Sequence, residues 1–220
     1  RAASSQASPK PAPLPSSCRA LGTNGQLSYA SRNPSPSVSA DVGTSSHSNH
    51  GTAVVGLVGA RANGVGVAGT CPNCRILPVA LGFQPTKDAA AFIYAMRHGT
   101  HVITNSWGYP IGTPETDVVV DAINTTARNG RNGKGTVILF AMNNIDRNDC
   151  TGDKPDISSL DSVFAVSAAN DMDLKVENSA WGPCMEVVSP SRDSKRQRPG
   201  LTKPDLTGEY GYNTGWLDEE

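Results

Sequence analysis

Aromatic residues are scarce, at 5% of the 220-residue chain, and no stretch of about eighteen apolar residues occurs anywhere in it. The second absence excludes a membrane-spanning helix, which needs roughly 20 predominantly apolar residues in a row. An excess of one charge is lacking too: 19 Lys and Arg stand against 20 Asp and Glu, for a net charge of −1. No strong field therefore draws the chain to nucleic acid or to an anionic membrane. No signal-peptide pattern is visible at the N-terminus, which begins at Arg1. A second Cys-x-x-C is missing as well. Cys71-Pro72-Asn73-Cys74 stands alone, and one pair cannot complete a tetrahedral zinc site. Its plain reading is a short local disulfide or two reduced thiols. The five cysteines, with Cys18, Cys150 and Cys184 as the others, leave at least one unpaired.

Glycine and proline are plentiful, 22 and 16 residues, beside a hydrophobic share of 37%. That composition suits one domain, or one domain with a tail, rich in turns. Residues 1–49 are dominated by Ser, Pro and Ala and hold no period of 2 or 3.6. Ordering them costs backbone entropy that few apolar side chains offset. They are expected to form a linker or poorly ordered arm, with local structure only near Leu27–Tyr29. Residues 50–220 are expected to form the folded part.

Within that part, elements alternate. The run from His50 to Ala60 is compatible with a buried helix. Ile76–Leu81 is a short apolar run of strand length. Ala89, Phe92, Ile93 and Met96 fall at i, i+3, i+4 and i+7 of a helix over Thr86–His98, and Gly99 ends it. Val102–Thr104 predicts a strand. Val119, Ala122, Ile123 and Thr126 share one face of a helix over Pro114–Asn129, which Gly130 stops. Thr136–Ala141 and Val163–Ala168 predict further strands. Strands alternating with helices imply an α/β fold with a doubly wound parallel sheet and helices on both faces. Residues 189–220 turn polar again, and the basic loop over 191–200 reads as a solvated insertion rather than a binding patch. Asn124-Thr125-Thr126 fits the glycosylation sequon, but a helix interior makes the match coincidental.

Two histidine segments compete as a catalytic base. His50-Gly51-Thr52 opens a helix, precedes Asn63-Gly64-Val65-Gly66-Val67-Ala68-Gly69, and is followed by a strand ending in Pro78-Val79. His98-Gly99-Thr100-His101 instead closes an amphipathic helix and opens a strand. A general base needs an imidazole held rigidly beside a nucleophile, and the first context supplies it. The ordered match of the first segment over about thirty residues resembles the subtilase (subtilisin/kexin-like) serine proteases. Thr104-Asn105-Ser106-Trp107-Gly108 also resembles their Ser-Trp-Gly segment.

The resemblance implies a subtilisin-like fold, here incomplete, and a serine-type endopeptidase with His50 as catalytic histidine. It implies Ser106, Trp107 and Gly108 as the extended wall that pairs with the peptide substrate. Asn144 would donate to the oxyanion. Asn143 then stands where the family has glycine, and Asn tolerates a positive φ better than most residues. Asn129-Gly130-Arg131-Asn132-Gly133-Lys134-Gly135 and Asn148-Asp149-Cys150 resemble kexin-type loops. They imply a Cys150–Cys184 disulfide and an oxidising, extracellular or secretory, compartment. Asp149 matches a calcium-linked acidic position, so calcium is allowed, although no cofactor is required. The acidic residues that give kexins dibasic specificity are not matched: Tyr109-Pro110-Ile111-Gly112 follows Ser-Trp-Gly, and Trp181-Gly182-Pro183 precedes the second cysteine.

Two family motifs are missing from the 220 residues. No Gly-Thr-Ser-x-Ala-x-Pro occurs, although Lys203–Gly215 resembles the stretch that precedes it. The only Asp before His50 is Asp41, in a Ser-rich setting nine residues away. The chain is thus expected to be a fragment of a longer peptidase, acting on polypeptide and inactive alone. The rival reading is a non-catalytic subtilase-like domain that binds peptides.

Overall fold

In the computed structural model, the described residues are 19–23, 46–79, 81–110, 113, 116–151 and 156–205. Six parallel strands make one sheet, β1 (Arg19–Thr23), β2 (Arg75–Ile76), β3 (Val102–Asn105), β4 (Val137–Ala141), β5 (Phe164–Ala169) and β6 (Met185–Pro190). Their spatial order is β2-β1-β3-β4-β5-β6. Among the described residues, three α-helices, α1 (Ser46–Gly59), α2 (Pro85–Arg97) and α3 (Asp117–Gly133), and a short 3-10 helix over Ile157–Ser159 lie between them.

Chain order and sheet order together decide which face each helix covers. The step from β1 to β2 runs one way along the sheet, and the steps from β2 to β3 and β3 to β4 run the other way. Crossovers between parallel strands are right-handed, so a reversal of direction puts the helices on opposite faces. α1 lies on one face; α2 and α3 lie together on the other. The fold is therefore the doubly wound parallel α/β sheet expected. The reversal lies between β1 and β3, and a crevice opens at the carboxyl ends of the strands at such a switch point.

The core sits between the sheet and the α2–α3 layer. Phe92 and Ala95 of α2 and Val119 and Ile123 of α3 meet Ile103, Ile138 and Phe140 of β3 and β4, all buried. Full burial of a side chain that size contributes about 1.5–3 kcal/mol. The predicted stripe of α3, Val119, Ala122, Ile123 and Thr126, is buried as expected, and regular helix ends at Gly130, whose ψ of 154 breaks it. The opposite face is covered less completely. Val137, Phe164 and Val187 remain exposed there, at 42%, 48% and 47%.

Three expectations need correction. The segment 1–49 was expected to be linker, yet Arg19–Thr23 is an internal strand, pairing with β2 on one side and β3 on the other. α1 also begins at Ser46, before residue 50. The strand expected over Ile76–Leu81 shrinks to Arg75–Ile76, because β1 offers only two paired positions there. β6 was not expected at all: every residue of it is exposed, so no buried face imposes alternation. Leu27–Tyr29 and Asp41 lie outside the described residues.

Candidate active site

His50 lies in the second turn of α1. Its position depends on how α1 is anchored. The loop after it returns to the helix: Gly69, Thr70 and Cys71 donate their N–H groups to the carbonyls of Ala60, Leu57 and Val58. A Cβ on Gly69 would come within 2.6 Å of backbone atoms of Val58, Gly59 and Ala60. The last glycine of Asn63–Gly69 is thus dictated by close backbone approach. Cys71 and Cys74 are joined in a disulfide just beyond. Gly56 of the same helix leaves the space that the ring of Pro204 fills.

So held, the half-buried His50 ring reaches the end of β3. Its Nε2 lies 3.1 Å from the carbonyl oxygen of Ser106 and donates to it in the tautomer protonated there. The structure therefore brings the histidine motif and the Ser106–Gly108 segment together across the switch point. His98 does not join them. It is exposed at the C-terminal cap of α2, with Nδ1 2.8 Å from the Tyr94 carbonyl and its ring 4.0 Å from the Tyr94 ring. His101 precedes β3, at the opposite end of that strand from Ser106.

Trp107 is buried at 6% exposure. Its ring packs edge-on against Phe140 and Tyr109, and its Nε1–H donates to Asn105 Oδ1 at 3.0 Å. The tryptophan is core, and its burial fixes the path of Ser106 and Gly108 on either side.

Asn144 follows β4 at the turn and its side chain is exposed. The residue before it is pinned. Asn143 N–H donates to Asp149 Oδ2 at 3.1 Å, its Nδ2 donates to Asp156 Oδ2 at 2.9 Å, and its carbonyl accepts from Ala180 N–H at 2.8 Å. Asn143 is not among the residues with positive φ, so this turn makes no demand for glycine.

The loop carrying Asn143 and Asn144 is strapped to the segment before β6. Asp149 N–H donates to the Trp181 carbonyl, and Trp181 N–H donates to that of Arg147. Cys150 and Cys184 form the disulfide that the resemblance implied. Gly182 has φ +148, and a Cβ there would collide with Asn148 Oδ1 and Cys150 Sγ. Trp181-Gly182-Pro183, which stands where kexins carry an acidic residue, thus closes this strap.

Asp149 does not fit a calcium ligand. Its side chain is fully buried against Arg147 Nε at 2.5 Å, and its second oxygen takes the Asn143 N–H. Among the described residues no cluster of three or more His, Cys, Asp or Glu could hold a metal. Asp156 is the residue that motif reading missed. Its only local signal is the turn it caps, where Oδ1 accepts the Ser158 N–H at 3.0 Å.

Three of the four basic side chains in the loop are paired within the protein. Arg196 pairs with the buried Asp193, Lys195 with Glu177, and Arg198 with Asp171. A free basic patch is not formed by these three side chains.

The sequence profile described as the subtilase family matches residues 20–215. The chain belongs to the subtilase family. It is 35% identical over 185 residues to the "Calcium-dependent protease" of Trichormus variabilis, covering 76% of this chain and 27% of that protein. It is 25% identical over 173 residues to subtilisin E of Bacillus subtilis, covering 76% of this subtilase chain and 42% of that protein. The chain therefore spans about a quarter of the length of the first of these relatives. Among solved structures, the prenylagaramide maturation protease PagA superposes with a TM-score of 0.62 at 21% identity, over 86% of this chain and 66% of that one. A psychrophilic subtilisin-like protease from the Antarctic Pseudoalteromonas sp. AS-11 does so with a TM-score of 0.63 at 21% identity, over 79% and 41%. These superpositions show the subtilisin-like fold.

Proposed function

We propose that this subtilase chain carries the general base, the oxyanion donor and the peptide-aligning wall of a serine endopeptidase. The observation that supports it most is the contact of His50 Nε2 with the Ser106 carbonyl at 3.1 Å. It joins two motifs separated by 56 residues into one site at the sheet's switch point. In this reading a serine hydroxyl attacks the peptide carbonyl, His50 takes up its proton and returns it to the leaving amine. Asn144 Nδ2 donates to the oxyanion; a donor of this kind is worth about 10²–10³ in turnover. The backbone of Ser106 and Gly108 aligns the substrate as an added strand. Trp107 keeps that backbone in place.

Two observations favour the rival reading for the chain by itself, a peptide-binding domain without turnover. β1 reads Arg-Ala-Leu-Gly-Thr and bears no carboxylate, and no Gly-Thr-Ser-x-Ala-x-Pro occurs in the sequence. Loss of a triad member leaves only the residual acceleration of binding and oxyanion donors. The two disulfides support an oxidising compartment, outside the cell or in the secretory pathway. A calcium requirement like that in the Trichormus relative's name would need a site other than Asp149.

The test is a titration of the isotope-labelled 220-residue chain with an extended peptide, followed by amide shifts. Shifts confined to the neighbourhood of Ser106–Gly108 and His50 are expected. Shifts elsewhere, or none, would remove the peptide wall from the proposal. A fluorophosphonate probe should leave the chain unlabelled, and His50-dependent labelling would show that a nucleophile is present after all.

A further inference from the structure

Lys175 stands in the loop between β5 and β6, and its ammonium is ringed by oxygen. Nζ lies 2.9 Å from Asp146 Oδ1, 2.9 Å from the Ser179 carbonyl, and 3.2 Å from the carbonyls of Val176 and Glu177. An ammonium has three protons, so four acceptors cannot each receive a directed bond of their own. Four oxygens converging on one point are the surroundings of an ion.

Three of the oxygens belong to one short turn, which Ser179 N–H closes by donating to the Val176 carbonyl at 2.9 Å. The fourth comes from the turn after β4. Without a positive charge between them these oxygens repel one another. Carbonyl oxygens gathered in this way can also replace the hydration shell of a free cation.

We infer that Asp146 and the carbonyls of Val176, Glu177 and Ser179 form a monovalent-cation site, which Lys175 fills with its own ammonium. Potassium and free ammonium are the ions of that class. Two features disfavour calcium. The contacts run from 2.9 to 3.2 Å, longer than the roughly 2.3–2.6 Å of calcium–oxygen bonds. The donors are one carboxylate and three neutral carbonyls, fewer oxygens than calcium takes. The site opens to water, since the side chains of Lys175 and Asp146 are 38% and 58% exposed. A small ion can therefore reach it once the lysine head is removed. The tethered cation holds the turn after β4 against the strap before β6, beside the bond from Ala180 N–H to the Asn143 carbonyl. Lys195 is the competing occupant, because Asp146 also feels its charge. Glu177 Oε1 holds that lysine at 2.9 Å.

The experiment reads urea midpoints of the 220-residue chain in potassium, ammonium or choline chloride. Ionic strength is kept equal, so that screening is the same. K175A should be less stable than the wild type in choline. It should regain stability in potassium and in ammonium, with a dependence that saturates. An ion at about ten times its dissociation constant raises the folding constant about elevenfold. The wild type should show no saturating gain. K175A/K195A should keep the gain and K175A/D146N should lose it.

No gain in K175A and in K175A/K195A would overturn the site. A gain that survives D146N would place the ion elsewhere and overturn it too. Restoration by calcium chloride but not by potassium would overturn its monovalent character. If K175A folds in none of the salts, the wild type decides. Its Lys175 ammonium protons should exchange with water slowly enough to give a nitrogen-correlated NMR signal, unlike those of the exposed Lys87 and Lys134. Exchange as fast as at those two lysines would overturn the site.

Discussion

The buried carboxylate of Asp149 accepts the backbone N–H of Asn143 at 3.1 Å, one residue before the proposed oxyanion donor Asn144. The same carboxylate holds Arg147 Nε. Asp149 thus ties the turn after β4 to the strap that carries the disulfide. Asp149→Ala leaves both a backbone donor and a guanidinium without their acceptor. The expected cost is about 3 kcal/mol, on the scale of breaking a buried pair. Asp149→Asn keeps an oxygen for one of the two donors and should cost less than half of that. Urea midpoints of the two variants check the order. If calcium were the true occupant of Asp149, added calcium would raise the wild-type midpoint and leave the Ala variant's unchanged; no such difference is expected.

The two disulfides should differ in worth. Cys150–Cys184 closes a loop of 34 residues and Cys71–Cys74 one of 3. On loop-closure entropy the first contributes about 3–4 kcal/mol and the second about 2. The paired replacement of Cys150 and Cys184 by Ala should therefore lower the denaturation midpoint more than that of Cys71 and Cys74. Equal shifts would mean that native contacts, rather than unfolded-chain entropy, govern the difference.

The parts legible in the sequence were those whose cause is local. The α2 and α3 stripes follow from i, i+3, i+4 spacing, and both helices end near a glycine. His50 was separable from His98 because the residues after each were different in kind. β1 was illegible for the opposite reason. Arg19-Ala20-Leu21-Gly22-Thr23 has one large apolar residue, and its strand character comes from partners on both sides. β6 lies at the sheet edge with both faces exposed, so its pattern carried no period. Asp156 could not be assigned from its neighbours, since its bond to Asn143 spans 13 residues and a turn.

Acid should destabilise the chain in part through three paired carboxylates. Asp171 is held below its ordinary value of 3.8 by hydrogen bonds from Arg198, and Asp146 by its bond from Lys175. Burial pushes Asp193 up, but Arg196 and Asn170 outweigh it and its carboxyl also stands below 3.8. A carboxyl lowered in the folded state contributes stability that is complete above its unfolded value. That stability is lost as pH falls through the folded value. Stability from these groups should thus be level down to about pH 4 and fall below it. Arg198→Ala removes the Asp171 share and should make the acid limb shallower in urea melts taken across pH 2–5. A limb as steep as the wild type's would place the acid sensitivity elsewhere.

Gly69 ties the loop after α1 to the helix that carries His50, and it admits no side chain. Its Cβ position is 2.6 Å from backbone atoms of Val58, Gly59 and Ala60, so nothing flexible can yield. Gly69→Ala must move the loop, the end of α1, or both. Overpacking of this kind costs about 1–3 kcal/mol. The effect should also be felt at the other end of the helix, because α1 is one rigid rod. The His50 ring would leave the Ser106 carbonyl, and the amide shift of Trp107, whose N–H belongs to the same peptide group, should report it. Gly64→Ala is the matched control: nothing lies within 4 Å of its Cβ position, although its φ of +79 adds local strain. A Trp107 shift in Gly69→Ala that is absent in Gly64→Ala would show that the terminal glycine of the loop sets the histidine. Equal behaviour of the two variants would reduce the glycine to a local turn residue.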